Sequence, residues 1–138
     1  MGLEVFTAII GAIDSVLSMA NVFRGAEERK RERVAAWLQE LGELIKDVAD
    51  KVELNDYPHN TCAQMEIMVE HFPRIVDDLF DKETVRELTA QLSACSQVEQ
   101  LFGELNNMDK RDKDDSIVIL LVASGKLQGL SSIVKYDE

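Results

Sequence analysis

A chain of 138 residues with 46% apolar residues and a net charge of −11 is long enough to bury a core and too apolar to be disordered. The net charge argues against a nucleic-acid partner, because a phosphate backbone needs a basic surface. The sequence contains only seven glycines and two prolines. Because these residues interrupt helices, their scarcity predicts an all-α fold of long helices.

The first predicted element is a very hydrophobic helix over residues 3–23, which carries only two charges, Glu4 and Asp14. A helix over residues 2–23 would be about 33 Å long, close to the roughly 30 Å hydrocarbon thickness of a bilayer. We therefore expect a core helix, a membrane-spanning helix, or each in turn. Its polar and small residues recur every three or four positions and define one narrow stripe: Glu4, Thr7, Gly11, Asp14, Ser18 and Asn21.

A dense basic run follows this segment, and it has two interpretations. Residues 1–33 contain five basic and five acidic side chains, whereas residues 34–138 contain ten basic and twenty-one acidic ones. Basic residues just beyond an apolar segment suit the anionic headgroups of a cytoplasmic membrane surface. The alternative is a solvated first turn of the next helix, paired with neighbouring glutamates. The run consists of Arg29, Lys30, Arg31 and Arg33.

The middle of the chain predicts three further helices. The second covers about residues 27–54 and has apolar residues at helical spacing opposite an acidic face. The third begins near Asn60 or Thr61, and we expect a kink or a break at Pro73 because proline removes a backbone hydrogen bond. The fourth covers about residues 84–106, where Thr84 and Glu87 have capping-box spacing.

The last third predicts a loop and then a fifth helix. Residues 106–115 are almost entirely polar and predict a mobile, solvated loop. Residues 117–122 are continuously apolar, and because no partner strand is visible we predict a helix over about 116–134. A tail begins at about residue 135. The prediction is one domain over residues 1–138, a compact bundle of four to five helices.

No catalytic, cofactor-binding or metal-binding constellation is recognisable, so we predict that the chain is not an enzyme. His59 and Cys62 are three residues apart, but a zinc site needs three or four ligands at close spacing. The two cysteines, Cys62 and Cys95, are typical of reduced thiols in a cytosolic core, and a single disulfide between them is the alternative. No basic residue precedes the first apolar segment, which argues against a secretory signal.

The very apolar N-terminal segment, followed by a long amphipathic helix over residues 27–54, resembles the HeLo-type cell-death domains. These include the fungal HeLo and HeLo-like domains, the four-helix domain of mixed-lineage kinase-like proteins and the bacterial Bell domains. The resemblance implies a cytoplasmic domain of innate immunity, set off by an upstream signalling protein, often through an amyloid signalling motif. It would then self-associate and perturb the plasma membrane through its N-terminal helix.

Two sets of residues follow from this hypothesis. The first set would contact lipid headgroups and consists of Arg29, Lys30, Arg31 and Arg33. The second set forms the expected membrane-active helix and consists of Leu3, Glu4, Val5, Phe6, Ile9, Ile10, Gly11, Ile13, Asp14, Val16, Leu17 and Phe23.

An alternative function is a helical interaction module, an adaptor similar to death-fold domains in bacterial signalling or immunity. Such a module would bind its partner through acidic helical faces.

Overall fold

The computed structural model describes residues 3–136, and within them the fold is all-helical, as predicted. It has seven α-helices rather than four to five, and a short 3₁₀-helix, Ser93–Ser96, lies between the fifth and the sixth. The helices are α1 Glu4–Leu17, α2 Ala20–Arg24, α3 Glu28–Glu53, α4 His59–Val76, α5 Lys82–Leu92, α6 Val98–Asn106 and α7 Lys110–Tyr136.

The prediction of one long hydrophobic helix over residues 3–23 is wrong. Helix α1 ends at Leu17, and the backbone N–H of Met19 donates to the carbonyl of Val16, an i→i−3 bond that tightens the turn. The chain resumes as the five-residue α2. With 14 residues, α1 is about 21 Å long and shorter than a bilayer's hydrocarbon core. Among residues 3–136, the helix that is long and apolar enough to cross a membrane is α7.

Helices α3 and α7 form the central pair of the bundle and run antiparallel. The Ser124 hydroxyl donates to the Gly42 carbonyl at 2.6 Å, and the Ser131 hydroxyl donates to the Ala35 carbonyl at 2.6 Å. A later residue of α7 thus contacts an earlier residue of α3, which fixes the antiparallel direction. Small residues let the two backbones approach closely: a Cβ added to Gly42 would lie 3.1 Å from the carbonyl oxygen of Ser124.

The predicted loop over residues 106–115 is largely the first turn and a half of α7, which begins at Lys110 rather than at residue 116. The Asp109 carboxylate accepts a hydrogen bond from the backbone N–H of Asp112 at 2.8 Å and caps the helix. The aspartates that suggested a loop therefore start a helix, because carboxylates are favourable at a helix N-terminus. The predicted tail from residue 135 is helical through Tyr136, and residues 137–138 lie outside the described part.

Helices α4 to α6 complete the bundle. Helix α4 continues through Pro73 to Val76, so the break that we considered there is absent. The Trp37 Nε1 of α3 donates to the Met68 carbonyl of α4 at 3.0 Å, inside the core. The predicted helix over residues 84–106 is divided by the 3₁₀-helix, and Asp81 caps α5 by accepting from the backbone N–H of Thr84 at 2.7 Å.

Candidate membrane-contacting surface

The residues predicted for a membrane-active N-terminal helix divide between core and surface. Leu3, Glu4, Gly11 and Asp14 are exposed, while Ile10 and Leu17 are half-buried. The apolar side of α1 thus faces the protein core, as the stripe pattern allowed. The buried residues are Val5, Phe6, Ile9, Ile13, Val16 and Phe23.

A carboxylate from α6 holds the beginning of α1. Leu3 occupies the N-cap position and has no side-chain oxygen to offer. Instead, Glu104 accepts hydrogen bonds from the backbone N–H groups of Val5 at 2.8 Å and Phe6 at 3.0 Å. These are the two amides that a capping side chain normally satisfies. Glu104 therefore caps α1, although it lies almost 100 residues away in the sequence, and it connects α1 to α6.

We expect Glu104→Gln to loosen the beginning of α1, because a neutral amide offers one acceptor oxygen and no charge to the helix N-terminus. The expected loss in the free energy of unfolding is about 1 kcal/mol. Faster hydrogen exchange at the amides of residues 5–8, followed by mass spectrometry, is the local readout. The matched control is Glu87→Gln on the exposed side of α5. Equal exchange rates at residues 5–8 in both variants would contradict the capping of α1 by Glu104.

The four side chains of the basic run over residues 29–33 differ in their exposure to solvent. Arg29 and Arg33 are exposed and Arg31 is half-buried, but Lys30 is buried. The Lys30 Nζ donates to the Ile75 carbonyl at 3.0 Å and lies 2.6 Å from the Asp78 carboxylate. Through this hydrogen bond Lys30 lowers the pKa of Asp78. Lys30 therefore joins α3 to the end of α4 and does not share a surface with Arg29 and Arg33.

The cysteines and histidines show no reactive arrangement. Both cysteines are free thiols, and burial raises the pKa of Cys95 to about 12 and also raises that of Cys62. Neither therefore has the lowered pKa of a reactive thiol. The His59 ring packs against the Tyr57 ring with 4.4 Å between centroids and a tilt of 47° between their planes. Within residues 3–136, no group of three or more His, Cys, Asp or Glu side chains could hold a metal ion.

The most unusual surface of the described chain is the solvent-facing side of α7. An 18-residue window of this helix has a mean hydropathy of 1.8, yet only 44% of that window is buried. Val118 is 56% exposed, Val122 51% and Ile133 52%. A Cβ added at Gly125 or Gly129 would meet no heavy atom within 4 Å. We call this the outer face of α7, and it consists of Val118, Ile119, Leu121, Val122, Gly125, Gly129 and Ile133.

The outer face has polar residues at its borders. Residues 116–125 contain no charge, and the exposed Asp115 and Lys126 flank them on either side. At the carboxyl end of α7, Tyr136 is 72% exposed and the Lys135 Nζ lies 5.3 Å from the centre of its ring. Tyrosine and lysine are typical of the boundary between an apolar phase and water.

Sequence reasoning placed a helix here but missed this surface. The available signal was the run over residues 117–122, which is apolar at six consecutive positions. Successive residues of an α-helix point about 100° apart, so six apolar residues in a row cover all its sides. One side of such a helix packs on the core, and the other must meet solvent, lipid or a partner.

Comparison with known proteins adds nothing to this description, because no family model, no curated protein and no solved structure matches the chain. The resemblance to HeLo-type domains therefore stays an expectation from the sequence. The outer face of α7 and its surroundings are the features of this chain that bear on its function.

Proposed function

We propose that this chain is a membrane-associating effector domain and that the outer face of α7 is its membrane-contacting element. The single observation that carries the proposal is the exposed apolar side of α7 on a protein with a net charge of −11. Isolated apolar residues are ordinary on a protein surface, but a continuous apolar helix face indicates a lipid or protein contact.

The proposed contact begins with α7 lying in the plane of the membrane. In this position Val118, Val122 and Ile133 enter the apolar region while the inner side of α7 stays packed on α3. Lys135 and Tyr136 then lie at the headgroup level. The contact between Ser131 and Ala35 places the beginning of α3, with the exposed Arg29 and Arg33, at the same end of the molecule as Lys135 and Tyr136.

Deeper insertion is the proposed route to membrane damage. The stretch over residues 116–134 is about 28 Å long as a helix and contains one charge, Lys126. To span a bilayer, α7 must leave α3 and give up the hydrogen bonds of Ser124 and Ser131. As in the cell-death domains that the sequence resembles, we propose that self-association at the plasma membrane drives this step. The part predicted for the N-terminal helix is thereby assigned to α7.

The test is flotation with vesicles of a neutral and an anionic phospholipid, together with dye leakage, on the full chain. We expect Val122→Glu to reduce vesicle binding by about tenfold or more, since the valine loses its apolar transfer and gains a charge. Ile67→Glu is the matched control, because Ile67 is 54% exposed on α4, away from the outer face.

The outcomes separate the two functions considered from the sequence. Binding that only the α7 variant loses supports the membrane proposal, and leakage that follows binding supports the effector role. Equal vesicle binding by the wild type and the α7 variant, or none by a folded wild type, overturns it. An interaction module that binds a protein partner is then the remaining hypothesis.

A further inference from the structure

We propose that, away from a membrane, a second copy of this chain covers the outer face of α7, with the two α7 helices antiparallel. The proposal goes beyond membrane association and does not depend on it. It rests on the two charges that flank residues 116–125, the uncharged part of the outer face, because these two charges have opposite signs.

Asp115 and Lys126 make the part of the outer face between them complementary to itself in an antiparallel arrangement. Asp115 is the last charged residue before the uncharged stretch over residues 116–125, and Lys126 is the first after it. Both are exposed and point to the same side as Val122, since residues 115, 122 and 126 follow the three- and four-residue spacing of a helix face. In an antiparallel pair, Asp115 of each copy faces Lys126 of the other. A parallel pair would place like charges together at both ends.

The apolar residues fit the same arrangement. When each Asp115 lies opposite the partner's Lys126, the two-fold axis passes between residues 120 and 121. Val118, Ile119 and Val122 of the two copies then meet around the axis, with one acid–base pair at each end. This is an isologous contact, in which the same patch serves both partners. The α3–α7 pair already shows that α7 packs antiparallel against the apolar side of another helix.

The contact has a consequence for the membrane proposal. The dimer buries Val118 and Val122, the same side chains that we propose to enter lipid, so one molecule cannot do both at once. A soluble dimer would keep the outer face covered until a membrane or a signal displaces the partner. The failure of either proposal leaves the other standing, because one concerns the state in solution and the other concerns vesicles.

Sedimentation equilibrium of the full chain, with the single charge reversals Asp115→Lys and Lys126→Asp, tests the dimer. Each single reversal places like charges together at both ends, and we expect a rise in the dimer Kd of about tenfold or more. The double variant Asp115→Lys/Lys126→Asp restores opposite charges and is expected to dimerise as the wild type does.

A mixture of the two single charge-reversal variants gives the most direct test of the proposed pairing. Asp115→Lys carries two lysines at the borders and Lys126→Asp carries two aspartates, so the two variants should form a heterodimer although neither dimerises well alone. Val118→Glu should be monomeric with an unchanged circular dichroism spectrum. A monomeric wild type at the highest soluble concentration overturns the proposal. So does a dimer that single reversals leave unchanged, or one that neither the double variant nor the mixture restores.

Vesicle flotation of the same charge variants distinguishes the two proposals when the vesicles contain only the neutral phospholipid, so that the net charge of each variant does not decide its binding. The reversals keep Val118, Val122 and Ile133, so their membrane contact stays available when the dimer is weakened. Stronger vesicle binding by the two single reversals than by the double variant is the expected pattern. The opposite pattern would contradict a dimer that hides the outer face.

Discussion

Replacement of Gly42 by leucine is expected to lower the free energy of unfolding by about 3 kcal/mol, because α3 and α7 touch at this position. A Cβ at Gly42 would lie 2.8 Å from Gln128 Cγ, 3.1 Å from the Ser124 carbonyl oxygen and 3.3 Å from Leu127 Cβ. The Ser124 carbonyl oxygen is a backbone atom and Leu127 Cβ is attached directly to the backbone, so neither can move by a change of rotamer. The helices must move apart, which would break the hydrogen bond between Ser124 and Gly42. Urea unfolding followed by circular dichroism measures the loss.

Gly11→Leu is the matched control for Gly42→Leu. Gly11 lies on the exposed stripe of α1, and a Cβ there would meet nothing within 4 Å. Leucine is a better helix former than glycine by roughly 0.5–1 kcal/mol, so the control should be neutral or slightly stabilised. Equal stability of the two variants would mean that α3 and α7 are not in close contact at Gly42.

Ile13→Glu is expected to lower the free energy of unfolding by about 4 kcal/mol or more, a large share of the roughly 5–15 kcal/mol that is typical of a folded domain. Ile13 is fully buried, so a carboxylate at this position would have to be desolvated without a partner. Its neighbour Asp14 is exposed, and Asp14→Lys should leave the unfolding midpoint almost unchanged. Thermal unfolding of both variants, followed at 222 nm, is the measurement.

The contrast between Ile13 and Asp14 also changes how the N-terminal helix can be probed. A charge at Ile9 or Ile13 would damage the core, so a loss of activity in such a variant would report unfolding rather than a lost membrane contact. A stably folded, soluble Ile13→Glu variant would contradict the placement of α1 in the core. Changes on the outer face of α7 avoid this ambiguity because those side chains are exposed.

The local character of most segments could be predicted from the sequence. The all-α fold is confirmed, and the spacing of Glu4, Thr7, Gly11 and Asp14 identified the outward side of α1. These features depend on helical periodicity, which a single sequence displays. The predicted helix boundaries were less accurate than the predicted helix types. Helix α4 accommodates Pro73, and α7 begins within an aspartate-rich block that reads equally as a loop or as a helix start.

Contacts between residues that lie far apart in the sequence could not be predicted. Lys30 lies in a basic run that suggested headgroup contacts, but its partners Ile75 and Asp78 are more than forty positions away. Glu104 caps a helix whose first residues precede it by almost 100 positions. Likewise, the long amphipathic α3 does not show which helix covers it. That choice depends on the fit of Gly42 against Ser124 and Leu127, which no local pattern encodes.

The pairing of α3 with α7 sets the order of events during biosynthesis. Gly42 and its partner Ser124 are 82 positions apart, so ribosomes release α3 long before the helix that covers it exists. Until α7 has been translated, the apolar side of α3 is open to chaperones or to aggregation. Folding to the native bundle must therefore wait for α7, and truncations upstream of residue 110 are expected to yield aggregation-prone nascent chains rather than a smaller stable domain.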